Sequence, residues 1–231
     1  MVGNTTGDSN TAVGSNALDA NTTASNNTAV GNAALGANTT GENNTVIGSN
    51  AGLALTTGSN NVALGYEALK NEDAHGKNTA LGTQALFTQN AGADAYNVGV
   101  GYQAGAAITT GNENTLIGGL AGDALTVGFA NIALGTHALG ADTQGSRSVA
   151  IGKSALAAQN FTSATNVYNV AVGEAAGLSV TTGTHNTFIG GLAGDANTTA
   201  SNNTAVGTSA LGANTTGTEN VSVGAESLEN N

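Results

Sequence analysis

A five-residue string ending in glycine recurs along the whole chain and constrains its fold more than any other feature. It reads NTAVG, NTVIG, NVALG, NTLIG, NVAVG and close variants. Its glycine falls at Gly14, Gly31, Gly48, Gly65, Gly82, Gly101, Gly118, Gly135, Gly152, Gly173, Gly190, Gly207 and Gly224. Ten of the twelve spacings are 17 residues; the others are 19 (Gly82 to Gly101) and 21 (Gly152 to Gly173). Residues 1–231 therefore read as a single repeat array of thirteen units, with insertions near 87–96 and 157–168. A fixed period with strict columns is the signature of a solenoid, in which each unit stacks on its neighbours.

The fullest unit reads NTAVGxxALxANTTGxN, numbered 1 to 17 from its first Asn. Position 1 is Asn in twelve units and Ser148 in the other. Position 2 is always Thr, Val or Ile, position 4 always Val, Ile or Leu, and position 5 always Gly. Position 8 is Ala in every unit but the last, which has Ser227, and position 9 is only Leu or Gly. Side chains alternate along a strand, so positions 2 and 4 share one face. Their β-branched and aliphatic character predicts that this face is buried. Position 3, mostly Ala, points the other way and must also be closely approached. Glycine at position 5 turns the chain where a Cβ is excluded. The Ala column predicts a second tight layer, and NTTG a polar turn. Stacked Asn residues predict a hydrogen-bonded ladder along the axis. The expected fold is all-β, a parallel β-solenoid or β-roll of thirteen turns. At ~4.8 Å per turn it makes a rod on the order of 60 Å long.

Composition narrows the function. Charged residues are 8% of the chain, against a usual ~25%. Four Lys and Arg stand against fifteen Asp and Glu, for a net charge of −11. Neutralising phosphates needs clustered cations, so a nucleic-acid or anionic-membrane role is not expected. The absence of Cys excludes disulfides, thiolate metal sites and a Cys nucleophile. No apolar run approaches the ~20 residues that span a bilayer. The start, MVGNTTGDSN, has no basic or apolar leader pattern. Met1 aligns with unit position 9 and Asn231 with position 12, so the array begins and stops in mid-unit with no visible cap. Either a longer chain continues it or copies stack end to end through open strand edges.

A second period overlies the first. GGLAGD occurs at Gly118–Asp123 and again at Gly190–Asp195, four units apart, and the insertions follow the fifth and ninth units. The inserted segments carry Phe87, Tyr96, Phe161 and Tyr168, half of the eight aromatics. Insertions in solenoids form loops on one face, which makes these residues candidate lateral contacts.

SVAIGKSALA (Ser148–Ala157) and GENNTVIG (Gly41–Gly48) resemble the head repeats of trimeric autotransporter adhesins. That resemblance implies a left-handed parallel β-roll, three chains packed into a rod, and binding to host surfaces or matrix. The full 17-residue unit is similar also to repeats of bacterial and phage-related tail-fibre-like proteins. Both resemblances cover almost the whole chain and speak to architecture more than to ligand.

The search for chemistry is mostly negative. His75, His137 and His185 share no column, so no metal cluster or triad is expected from them. Position 10 carries Asp19, Asp123, Asp195 and Glu229, never in adjacent turns. GGLAGD is not the calcium nonapeptide, because its spacing differs and it does not recur every turn. The sequons at Asn4, Asn21, Asn26, Asn38, Asn43, Asn160, Asn197, Asn202, Asn214 and Asn220 are glycosylation acceptors in a secreted chain, although the NTT turn alone explains their number. The expected protein is thus an extracellular or virion-associated fibre, structural or adhesive, and not an enzyme. It needs no cofactor or metal. Its partners are copies of itself, as a homotrimer or end-to-end polymer, and a cell-surface glycan or matrix. Two alternatives compete. One is an ice-binding solenoid using the position 13 column, with Thr22, Thr39, Thr56, Thr109 and Thr181. That column is interrupted by Asp73, Asn90 and Asn160. The other is a carbohydrate-active β-helix enzyme, which lacks clustered carboxylates here.

Overall fold

A computed structural model describes residues 3–230; Met1 and Asn231, and their places in the repeat, lie outside the described residues. The chain divides into two compact units, Met1–Asn114 and Thr115–Asn231. Both are all-β, with no helix among the described residues.

The first unit stacks six three-residue strands: β1 (Thr11–Val13), β2 (Thr28–Val30), β3 (Thr45–Ile47), β4 (Val62–Leu64), β5 (Thr79–Leu81) and β6 (Val98–Val100). The second stacks seven: β7 (Thr115–Ile117), β8 (Ile132–Leu134), β10 (Val149–Ile151), β12 (Val170–Val172), β13 (Thr187–Ile189), β14 (Thr204–Val206) and β15 (Val221–Val223). Two short strands, β9 (Gly145–Ser146) and β11 (Thr165–Asn166), form a separate parallel pair. Pairing within each stack is parallel and in repeat register, as in Thr28↔Thr45, Ala29↔Val46 and Val30↔Ile47. The second unit pairs Thr187↔Thr204, Phe188↔Ala205 and Ile189↔Val206 in the same way. This is a parallel β-solenoid with one turn per repeat unit.

The strand faces are the reverse of the expectation. Position 3 points inward: Ala29, Val46, Ala63, Leu116, Ala133 and Phe188 are all fully buried. Positions 2 and 4 point outward. The reason is volume. Each turn is a thin closed loop, and the inside of its strand also receives position 8 and position 9 of the same turn. Ala at positions 3 and 8 leaves room for one large side chain, usually Leu at position 9, as at Leu35, Leu69 and Leu156.

The source of the bulk moves between columns, and the turn that begins with β7 buries two large side chains, Leu116 and Leu125. Where position 9 is Gly, position 12 becomes aliphatic, at Leu55, Ile108, Leu125 and Val180, all buried. In the turn that begins with β13, position 3 supplies the bulk as Phe188 instead. A Cβ on Gly194 would then lie 2.5 Å from the Phe188 ring. Interiors tolerate little void and little overlap, so bulk in one column is met by small residues in the columns that face it.

Backbone conformation explains the other columns. Position 9 lies in the left-handed region, with φ of 52° at Leu35 and also at Gly52. Leu is retained there against the steric penalty because its side chain fills the turn. The position 5 glycines have φ near 135°, as at Gly82 and Gly118. A Cβ on Gly31 would also lie 2.6 Å from the carbonyl carbon of Gly48 in the next turn. Both the torsion and the stacking distance exclude a side chain.

The Asn column is a ladder, but its rungs are mainly side chain to backbone. Asn27 Oδ1 accepts from Asn44 N at 2.9 Å, and Asn27 Nδ2 donates to Gly41 O at 2.8 Å. In the second unit Asn186 Oδ1 accepts from Asn203 N at 2.9 Å. A buried amide such as Asn27 therefore ties two turns together and also pins its own turn. Where Ser148 interrupts the column, Gln159 substitutes. Its Nε2 donates to Ser148 Oγ at 3.0 Å and its Oε1 accepts from Asn169 Nδ2 at 2.9 Å.

Candidate functional site

Turning positions 2 and 4 outward gives each unit an uncharged outer sheet face, exposed at strands such as β3 and β4 and half-buried at β2, β5 and β6. Position 2 contributes Thr28, Thr45, Val62, Thr79 and Val98 in the first unit, and position 4 contributes Val30, Ile47, Leu64, Leu81 and Val100. No charged residue occupies either column in any repeat, in a chain whose net charge is −11. Ile47, Leu64, Ile117, Ile132 and Ile189 are between 36% and 42% exposed. Three residues of width and six or seven strands of height make a flat surface of roughly 300 Å² per unit. The face is mixed, with Thr, Val or Ile at position 2 and an aliphatic residue throughout at position 4, and its area is at the low end of the ~300–600 Å² of the largest apolar patch on an ordinary monomer, which is often functional. Beside this face, the residues after Gly65 and Gly101 are Tyr66 and Tyr102, both exposed. Neither tyrosine stands out in the sequence, because their position 6 column carries no apolar pattern of its own.

The insertion aromatics divide. Tyr96 and Tyr168 are exposed. The Tyr96 hydroxyl accepts from Lys77 Nζ at 2.9 Å, and Lys77 also pairs with Asp94 at 2.8 Å. That pairing raises the Lys77 pKa and holds the Asp94 carboxyl below its usual range. Tyr168 lies 5.8 Å from the Arg147 guanidinium and 5.4 Å from the His185 ring. Phe161, by contrast, is 8% exposed and belongs to the core. Phe87 is half-buried under Lys70, whose Nζ lies 5.4 Å from the ring centre. Two of the four residues thus point to solvent and two serve packing, because an inserted segment must still cover its own turn.

The sequons divide in the same way. Asn21, Asn38 and Asn197 sit at position 12 with no exposed surface, and Asn214 is nearly as buried. Asn38 shows why: its Oδ1 accepts from Gly41 N at 3.0 Å and its Nδ2 donates to Gly41 O at 2.9 Å. Asn4 makes the same pair of bonds with Gly7 and is half-buried, and Asn220 is half-buried in the ladder column. Asn26, Asn43, Asn160 and Asn202 are exposed. The position 13 hydroxyls are committed along the stack: Thr22 Oγ1 donates to Thr39 O at 3.1 Å, Thr56 Oγ1 to Asp73 O at 2.9 Å and Thr181 Oγ1 to Thr198 O at 3.2 Å.

Three groups of ionisable residues interrupt the neutral pattern. Lys70 donates to Glu67 at 2.8 Å and Gln84 donates to it at 2.9 Å, and these bonds, Lys70 first, lower the Glu67 pKa. Asp142 occupies position 12, fully buried, and accepts from Gly145 N, Gln159 Nε2 and Phe161 N at 3.0, 2.6 and 3.1 Å. Burial pushes its carboxyl above the usual range despite those bonds. Glu72 occupies position 12 of the fourth repeat and is likewise buried and raised. It meets His75 and Asp73 of its own turn, with one ligand atom from each residue within 4.8 Å of the others. The three histidines share no column along the stack, so the cluster shows in the sequence only as the E-D-x-H spacing within one turn. His137 and His185 join no such group among the described residues. Asp123 and Asp195 stay on separate turns of the second unit, four repeats apart.

Comparison with protein families, with curated proteins and with solved structures finds no match to the chain.

Proposed function

We propose that the chain is a structural segment of an extracellular or virion-associated fibre, which self-associates through its outer sheet face and offers its exposed loops to a surface glycan or matrix. The observation that carries this reading is the outer face itself: regular, uncharged, rich in Val, Ile and Leu, and outward-facing in each unit, with part of it exposed. A second copy is the occupant best suited to it. Its rungs repeat at the same ~4.8 Å spacing, so side chains of two copies interdigitate over the full height. Its uncharged columns bring no like charges together, whereas the acidic remainder of the surface repels. A trimer is the assembly that the adhesin-like repeats imply. The committed position 13 hydroxyls favour this reading over ice binding through that column.

The chain has no cysteine, which permits a direct test. Thr79→Cys places one thiol on the outer face, and Thr57→Cys places one on an exposed turn away from the strands. Mild oxidation is expected to link copies of the first variant and leave the second monomeric on denaturing gels. Equal linking of both would overturn the assignment of the face.

A further inference from the structure

We propose that Glu72, Asp73 and His75 form a binding site for one divalent cation of the zinc type.

Two buried acids stand at equivalent places, Glu72 and Asp142. Position 12 of the repeat is Asn in several turns, and it is acidic at Glu72 and Asp142. Asp142 is satisfied by the protein alone, with three bonds of 2.6 to 3.1 Å, one of them from the Gln159 amide. Glu72 has only two longer ones, from His75 N at 3.2 Å and from Ala91 N at 3.5 Å. The side chain at position 12 of the following turn, Gln89, leaves its buried Nε2 without a partner rather than donating to Glu72. The two lysines that flank it in sequence are engaged elsewhere, Lys70 by Glu67 and Lys77 by Asp94 and Tyr96. A fully buried carboxylate is thus left under-partnered at a place where the same fold satisfies another one completely.

His75 faces this carboxylate. Its Nδ1 is buried and has no hydrogen-bond partner, and it stands 3.6 Å from Glu72 Oε1. That separation is too long for a hydrogen bond. It does suit two atoms sharing a metal: with bonds of about 2.1 Å, 3.6 Å subtends an angle of roughly 118°, near tetrahedral. Asp73 is exposed and supplies the third oxygen within 4.8 Å of the other two atoms. In a tetrahedral site two ligand atoms at bonds of about 2.1 Å stand about 3.4 Å apart, so the exposed Asp73 side chain has to swing inward by up to roughly 1.4 Å. One imidazole nitrogen, two carboxylates and a position left to water suit a borderline cation better than calcium, which takes six or more oxygens. A bound cation would neutralise Glu72 and pin the turn just before the first insertion.

The repeat supplies its own control variants. Glu72→Asn restores the residue found at Asn38, and His75→Gly restores the residue found at Gly41. Neither change asks the fold for anything new. The full chain is titrated with Co²⁺ alone, followed by visible absorption and by calorimetry. One equivalent is expected to bind, with an absorption band of tetrahedral intensity and a rise in the thermal midpoint. Glu72→Asn and His75→Gly are each expected to weaken binding at least about tenfold, while His137→Ala and His185→Ala leave it unchanged. Absence of saturable binding, or binding that survives both repeat-restoring variants, would overturn the proposal.

Discussion

The two sides of each strand differ in a way that a lone chain does not need. The inner side carries the small residues, chiefly Ala, and is sealed; the outer side carries Thr, Val, Ile and Leu and is open. A chain built only to be a stable monomer would gain more by placing the larger side chains inside, since burial contributes roughly 25 cal/mol per Å² of apolar surface. The arrangement makes sense if the inside is limited by the diameter of a 17-residue turn and the outside is completed by another copy. The inner face then decides whether a turn closes, and the outer face decides what the closed turns do.

The largest effect is expected on the inner side. Phe188→Ala empties the one turn whose bulk comes from position 3, at a cost of about 3–5 kcal/mol, read as a lower midpoint in denaturant. Adding Gly194→Leu recreates the Ala and Leu pattern of the next turn, Ala205 and Leu211. The double variant should recover much of the loss. If it is no better than the single one, the idea of a core volume shared between columns is wrong.

On the outer side the balance reverses. Leu64→Lys with Ile132→Lys should change the stability of the isolated chain by less than about 1 kcal/mol, yet abolish its association in sedimentation. A variant that unfolds instead would mean that the outer face is part of the monomer's own core.

A smaller effect concerns the buried acid of the second unit. Burial raises the Asp142 pKa in the folded state, so the folded chain holds its proton more tightly than the unfolded one. Stability is then greatest below the unfolded carboxylate value and falls as pH rises toward the folded one, levelling beyond it. Asp142→Asn should remove that fall, seen in denaturation curves from acid to neutral pH. The smallest change is expected at the polar turn: Thr22→Val deletes one exposed hydroxyl bond to Thr39 O and should cost about 1 kcal/mol or less.

The period, the strand positions and the glycine turns were legible in the sequence because stacking makes each column answer to a single environment. NTAVG gave strands, and the position 5 glycines gave the turn. Which strand face lies inside was not legible from hydrophobicity, because that scale ranks Val and Ile above Ala and ignores the width of the turn. The exchange of bulk among Leu35, Leu55 and Phe188 was present in the sequence, but it only makes sense once positions 3, 9 and 12 are known to meet. The outer face reads as a core for the same reason, and His75 reads as isolated when compared along its column, because Glu72 and Asp73 are neighbours within its own turn.

The most direct test of self-association through the outer face is the native mass of the full chain by light scattering across a range of concentrations. A mass that reaches about three times the 22.2 kDa of one chain, and returns to one chain with Leu64→Lys and Ile132→Lys, is the predicted result. A constant 22.2 kDa at every concentration would contradict it.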